Sequence, residues 1–502
     1  MAIKNINKKR LLLFSLSAIL FTVVALPVQG EEVFEVQVLN DSRPRANIQT
    51  PRPFMACDNW NNIYITGAGM WDINFTTMKY DPNGTVLWTA NYDGPANWLD
   101  YVTALAVDDL GNAYVTGRSE GDGTEDDYAT VKYAPDSNVP IWVARYNGLG
   151  NDRDRPSAIA VDSTGNVYVT GYSEGSGTEK DCVTIKYDPN GNELWVGIYN
   201  GPGDNDDSGR AIALDTEENI YVTGSSMGEG TNDDYLTIKY APDSNVPIWI
   251  ARYDGPAHSD DYARDIAIDD QNNIYVTGSS GTIKYVADSN QPVWVSTGNS
   301  ASLITLDGDG NILVTNTNWK VVKYDPNGNE LWVARYNSEQ NGDDYVTDIA
   351  TDSLNNVYVT GSIYVMGSPG LLYDVRDAVT IKYGPDSNEP LWIAEYQKPG
   401  MSITSGDITI DSLNHVYICG CSYSLNPRAF GGEQFITKYK QCEQSGDVDC
   451  DGDVELLDFD ILSKHWLEND CGKCGGAEIT GDGDVDSNDF NKMGNNWLAG
   501  AE

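Results

Sequence analysis

The sequence predicts an all-β propeller of eight four-stranded blades, seven being the alternative, followed by a small α-helical calcium-binding domain. Three observations lead there. The phrase Asn62-Ile63-Tyr64-Ile65-Thr66-Gly67 recurs around Tyr114, Tyr168, Tyr221, Tyr275, Leu313, Tyr358 and Tyr417. A Lys-Tyr pair follows each copy, ending at Tyr80, Tyr133, Tyr187, Tyr240, Tyr285, Tyr324, Tyr383 and Tyr439. Beyond residue 440 the repeat stops, and two Asp-rich loops appear, each leading into an amphipathic segment. A spacing of roughly 40 to 60 residues marks a repeat architecture rather than a single core.

In chain order, residues 1–30 read as a secretory signal. Lys4, Lys8, Lys9 and Arg10 precede an apolar run from Leu11 to Leu26, and Val28-Gln29-Gly30 offers small residues for cleavage. An uncleaved signal anchor is the alternative. The expected location is therefore secreted or at the cell surface, with no membrane span after cleavage.

Residues 31–440 form the expected propeller. One full unit runs Ala158–Asp162, Asn166–Gly171, Val183–Tyr187 and Leu194–Tyr199. These are four short β-branched and aromatic runs, separated by Asp-x-x-Gly-Asn and Asp-Pro-Asn-Gly turns. A Trp opens the fourth run in seven units: Trp88, Trp142, Trp195, Trp249, Trp294, Trp332 and Trp392. The eighth unit lacks it. The strand-like segment Glu32–Val38 is expected to complete that blade, with Phe34 where the Trp would sit. The short fifth and sixth units are where a seven-bladed ring would lose one.

Alternation of strand direction puts the tight turns on one face and the long loops on the other. The long loops carry Asp126-Asp127, Asp206-Asp207, Asp233-Asp234, Asp260-Asp261 and Asp343-Asp344. That acidic face is a candidate surface for a glycan or protein ligand or for weak cation binding; solvated strand ends are the plainer reading. The first-strand Asp (Asp58, Asp108, Asp162, Asp215, Asp269, Asp307, Asp352, Asp411) and the Lys before each Tyr recur eight times, which favours a structural pairing or turn-capping role. The chain holds 32 Lys+Arg against 75 Asp+Glu, a formal charge of −43, which argues against nucleic acid and anionic membrane as partners. Of eight cysteines, Cys57 and Cys182 read as core or free thiols, and Cys419 and Cys421 are left open. Cys442, Cys450, Cys471 and Cys474 crowd the tail, where disulfides are permissible. These residues resemble the SBBP β-propeller repeat family over 54–439, which implies a secreted or surface propeller with no common enzymatic activity.

In the tail, 441–502, the loop Asp447–Asp458 places oxygens at positions 1, 3, 5 and 12 (Asp447, Asp449, Asp451, Asp458) with Gly452 at 6 and the carbonyl of Asp453 at 7. Calcium needs six to eight hard oxygen ligands, and Gly at position 6 allows the sharp turn. A second copy offers Glu478, Thr480, Asp482, Asp484 and Asp489. Phe459 and Trp466 match Phe490 and Trp497 on the two following helical faces. The pair of loop-helix units resembles a type I dockerin, which implies docking onto a cohesin-like or cell-surface partner. Loop two departs from the pattern at Glu478 and Thr480, so its calcium is expected to be weaker.

The leading expectation is a non-enzymatic secreted binding or assembly protein, monomeric, tethered through this tail. The alternative is a polysaccharide-degrading enzyme or accessory subunit of glycoside hydrolase type, docked the same way. No residue stands out as catalytic: no carboxylate pair is distinguished, and His258, His415 and His465 have no nucleophile suggested nearby. A quinone-dependent dehydrogenase with Trp-rich repeats is a third, remoter possibility.

Overall fold

The computed structural model describes residues 31–34, 53–68, 74–175, 179–228, 232–338, 344–365, 375–424 and 432–439. Residues 1–30 and the whole tail from 440, with both calcium loops, lie outside the described residues. Glu31–Gln441 forms one compact unit.

Among the described residues, eight antiparallel four-stranded sheets make up the head. They span 54–92, 100–146, 154–199, 207–253, 263–296, 303–335, 345–396 and 401–439, the last joined by 31–34. The short fifth and sixth units are complete blades, so the seven-bladed alternative falls. In blade 5 the second and third strands, Asn273–Gly278 and Gly281–Val286, meet in a tight hairpin. In blade 6, Trp319 fills the space that a longer hairpin would cover. It stands five residues before Tyr324, as Tyr128 stands before Tyr133, and it is fully buried against Tyr336.

First strands of successive blades touch one another all the way round, and the first strand of blade 8 touches that of blade 1. They form the inner ring around the central channel, and the Trp-bearing fourth strands lie outside. Glu31–Phe34 is that outer strand in blade 8, pairing antiparallel with Gly432–Tyr439. Its register corrects one expectation. Elsewhere Trp faces the Lys, as in Lys186↔Trp195, but here Glu32 faces Lys438, and Phe34 faces Ile436 two residues on. Strand periodicity keeps Phe34 and Glu32 on one face, so the segment's pattern cannot by itself fix the phase.

The repeated polar residues hold the ring. In blade 3, Asp162 Oδ1 accepts from the N–H groups of Thr164 and Asn166; Oδ2 accepts from Asn166 Nδ2 and Tyr168 OH. This Asx-turn satisfies a nearly buried carboxylate completely. Burial pushes the Asp162 pKa up, but those hydrogen bonds outweigh it and hold the group below the usual carboxylate range. In blade 8, His415 replaces the Asn and bonds Asp411 Oδ2 at 2.8 Å. In blade 6, Leu313 replaces the Tyr, and Lys323 Nζ closes on Asp307 Oδ2 at 2.7 Å instead.

Seven of the Lys and six of the Trp also clamp the next blade. Lys132 Nζ and Trp142 Nε1 both donate to Pro189 O, at 3.3 and 3.0 Å. Lys186 and Trp195 donate to Pro242 O, Lys284 and Trp294 to Pro326 O, and Lys323 and Trp332 to Pro385 O. Lys438 donates to Pro82 O at 3.1 Å and so carries the pattern across the seam from blade 8 to blade 1. Structural pairing and turn capping are therefore what the eightfold Asp and Lys do.

The Thr-Gly that ends the repeated phrase has a steric cause. A bulge brings the first strand against it, and an aromatic ring of the preceding blade closes the other side. A Cβ on Gly171 would lie 2.1 Å from Arg155 O and 2.5 Å from Tyr128 OH; on Gly278 it would lie 2.0 Å from Tyr262 O and 2.6 Å from Tyr235 OH.

Candidate functional site

With the repeated residues committed to the ring, the side chains that break the repeat become the candidates. The long-loop face comes first. Its acids are largely engaged. Asp126 pairs with Arg118 and Arg155, Asp127 with Arg145, Asp234 with Arg252 and Asp206 with Lys180. Asp207 and Asp261 accept from the N–H groups of Gly201 and Gly255, closing their loops; Asp100 and Asp154 do the same for Gly94 and Gly148. Asp344 accepts from Ser338 N–H and Tyr364 N–H. Asp343 lies outside the described residues. Among the described residues no group of three or more His, Cys, Asp or Glu is arranged to hold a metal ion. His258 is exposed on this face and bonds Asp254.

Blade 3 breaks the pattern there. Where blades 2 and 4 carry Arg145 and Arg252, it carries Ile198, which is exposed. Asp154, at the start of the same blade, is pushed up to about 6, chiefly by burial and also by Asp127 and Glu174, against hydrogen bonds from Ser173 and Gly148 N–H.

The central channel is the second candidate. In the inner-strand phrase, Ala104, Ala158 and Ala211 give way to Asp265, Asp348 and Asp407 in blades 5, 7 and 8. Each of these acids reaches one blade onward. Asp265 accepts from Ile304 N–H at 2.9 Å, Asp348 from Ile408 N–H at 3.0 Å and Asp407 from Met55 N–H at 2.8 Å. The last bond crosses the closure seam. Asp348 also meets Asp407, and Asp348 is held well above the usual carboxylate range by burial and then by that neighbouring carboxyl. Two like charges in contact disfavour double ionisation. Asp265 is pushed up to about 6 by burial, against its backbone hydrogen bonds and Arg210.

The residues just before these positions sit in β-bulges: Thr103, Ser157, Arg210, Arg264 and Thr347, with Gly406-Asp407 in blade 8. A bulge leaves one residue unpaired and re-aims its side chain. Sequence reasoning missed these channel residues, although the Ala-to-Asp replacements are visible at one fixed position of the repeat.

Of the cysteines among the described residues, Cys57, Cys182 and Cys419 are free thiols. Cys182 is fully buried where Tyr128 and Tyr235 stand in blades 2 and 4, and burial raises its thiol to about 12, so it is inert. Cys57 Sγ reaches Ile410 O across the seam.

These shifts give a pH prediction. The raised carboxyls Asp154, Asp265, Asp348 and Asp377 hold protons in the folded state that the unfolded chain releases near its ordinary pKa of about 3.9. Their stability contribution is complete below that value and is lost as pH rises through each raised pKa, about 6 for Asp154, Asp265 and Asp377. The depressed groups Asp58, Asp162, Asp307 and Asp411 act oppositely, losing theirs as pH falls below about 4. Melting temperature should peak near about pH 5 and decline toward pH 8. Self-repulsion of the acidic chain acts in the same direction, so Asp348→Asn is the specific control: it should flatten the alkaline limb. A melting temperature that rises steadily to pH 8 would contradict the assignment.

Comparison with known proteins agrees with the repeat. The family model described as "Beta-propeller repeat", SBBP, matches residues 96–123, 141–177, 194–230, 248–282 and 331–368. The chain carries SBBP β-propeller repeats. An uncharacterized WD repeat-containing protein of Acanthamoeba polyphaga mimivirus is 26% identical over 389 residues, covering 68% of this chain and 25% of its own length. The chain thus spans about a quarter of that relative. Among solved structures, BamB from Moraxella catarrhalis aligns with a TM-score of 0.48 at 13% identity, covering 78% of this chain and 99% of BamB. A protein of unknown function from Bacteroides caccae aligns with a TM-score of 0.33 at 12% identity, covering 56% and 94%. The blade count stands on the strand pairing itself.

Proposed function

We propose that this SBBP-repeat propeller is a secreted, non-enzymatic binding or assembly protein, tethered through a calcium-dependent dockerin-like tail to a cohesin-like or cell-surface partner. The carrying observation is the duplicated Asp-rich loop with its matched Phe and Trp helical faces. The donor set is all oxygen: Asp447, Asp449, Asp451 and Asp458 in loop one, Glu478, Thr480, Asp482 and Asp489 in loop two, with the carbonyls of Asp453 and Asp484. Hard carboxylate and carbonyl oxygens fit calcium rather than a thiophilic metal.

The head supports a binding role because its repeated polar groups are spent on architecture. A hydrolase reading meets a geometric objection at the most prominent acid pair. Glycosidase carboxyls flank the scissile bond at about 5 Å or more, whereas Asp348 and Asp407 contact each other directly.

The test is capture of cohesin-domain or envelope proteins by the immobilised full chain in calcium and then in chelator, with Asp451→Ala/Asp482→Ala as the control. Calcium-dependent capture of a defined partner, lost in the variant, is expected. Capture that is indifferent to both chelator and variant would refute tail-mediated docking.

A further inference from the structure

Arg210 and Arg264 stand at equivalent places in neighbouring blades. Each is the unpaired bulge residue of its inner strand, between Gly209 and Ala211 in Asp207–Leu214 and between Ala263 and Asp265 in Ala263–Ile268. These two strands touch, so the two guanidinium groups leave adjacent walls at the same level of the channel. Neither makes a hydrogen bond or an ion pair with any described residue. Arg118, Arg145, Arg153, Arg155 and Arg252 each pair with a carboxylate.

The nearby acid attracts Arg210 electrostatically but forms no ion pair with it. Both oxygens of Asp265 accept backbone N–H groups, Oδ2 from Ile304 and Oδ1 from Ile266. Ser157, at the same bulge of blade 3, adds a hydroxyl, and Asp348 and Asp407 occupy blades 7 and 8. Arg210 is exposed to the channel yet enclosed by protein. Burial and then the charge of Arg264 lower its pKa, and Asp265 opposes them. Two like charges held together without a partner, on a chain of formal charge −43, need a reason.

We propose that Arg210 and Arg264 form an oxyanion-binding site in the central channel, taking a carboxylate, sulfate or phosphate group of a ligand that enters it. A guanidinium presents paired N–H donors that match two oxygens of such a group. Two of them from adjacent blades can hold one tetrahedral or planar oxyanion between them. The surrounding acidity opposes anions from a distance, so affinity is expected to be modest and specific to ligands that reach the pair. The site concerns the head alone and stands whether or not the tail docks through calcium.

The test is calorimetric titration of the full chain, in chelator and at constant ionic strength, with sodium sulfate, inorganic phosphate and a trigalacturonate. Saturable binding of at least one probe is expected, weakened about tenfold or more in Arg210→Gln/Arg264→Gln. Tighter binding of the uronate would point to an acidic glycan as the source, and tighter binding of the inorganic ions to a free oxyanion. Arg153→Gln, on the exposed loop face, should bind like the wild type. Without anion, the double variant should melt no lower than the parent, because it loses the repulsion between the two guanidinium groups and no hydrogen bond or ion pair. Absence of saturable binding in the parent, unchanged binding in the double variant, or a sharply lowered melt of that variant would each overturn the site.

Discussion

Removal of residues 31–40 is expected to lower the melting temperature on the order of 10 °C and to promote association. Glu31–Phe34 is the fourth strand of blade 8, and it ties the start of the chain to the end of the ring. Without it the third strand, Gly432–Tyr439, presents a row of unpaired N–H and C=O groups. The remaining seam is held by an apolar cluster in which Met55, Ile63 and Ile65 pack with Tyr417, Cys419 and Ile436, and by hydrogen bonds that include Asp407 with Met55 N–H, Lys438 with Pro82 O, and Asn61 Oδ1 with Ser412 N–H. These side-chain bonds each contribute roughly 1 kcal/mol, and none replaces a covalent link between first and last blade. Differential scanning of the shortened and parent chains reads the effect directly. An unchanged melt would mean that the ring closes without this strand.

The second large effect is expected at Gly171. A Gly171→Val substitution should destabilise the head by about 3 kcal/mol or more. The new Cβ would meet Arg155 O and Pro156 Cα, which are backbone, and the Tyr128 hydroxyl of the preceding blade. Backbone cannot rotate aside as a flexible side chain does. The bulge between Pro156 and Ala158 sets this approach and would itself have to shift. Gly123→Ala is the matched control, since nothing lies within 4 Å of a Cβ there, although its φ of 86° carries the usual strain of a left-handed position. Chemical unfolding of both variants decides the matter. Equal losses would attribute the Gly171 effect to backbone conformation rather than to the packing between blades.

The sequence made the blades legible because each structural demand is written again in most of the eight units. The Asx-turn needs Asp and Asn four residues apart with Tyr two beyond, as in Asp162, Asn166 and Tyr168, and that triplet recurs in order. The link from Lys132 and Trp142 to Pro189 was less legible, because its acceptor is a backbone carbonyl in another blade. The strand pattern of Glu32–Val38 leaves the phase of Phe34 open by two residues, and only the register with Lys438 and Ile436 fixes it. The channel residues were missed for a different reason. Arg210, Arg264, Asp348 and Asp407 look like ordinary strand positions until closure of the ring turns the inner strands toward one another. The tail's calcium loops are legible from the spacing of their oxygen-bearing residues, and the functional proposal rests on them.

The most direct test of that proposal is calorimetric titration of the full chain with calcium. The account predicts two calcium sites of unequal affinity in the parent, the weaker lost in Asp482→Ala, the stronger in Asp451→Ala, and both in the double variant. The acidic loop face would remain in every variant and serves as the internal background. Two-site binding that survives the double substitution, or no calcium binding at all, would contradict a calcium-dependent docking tail.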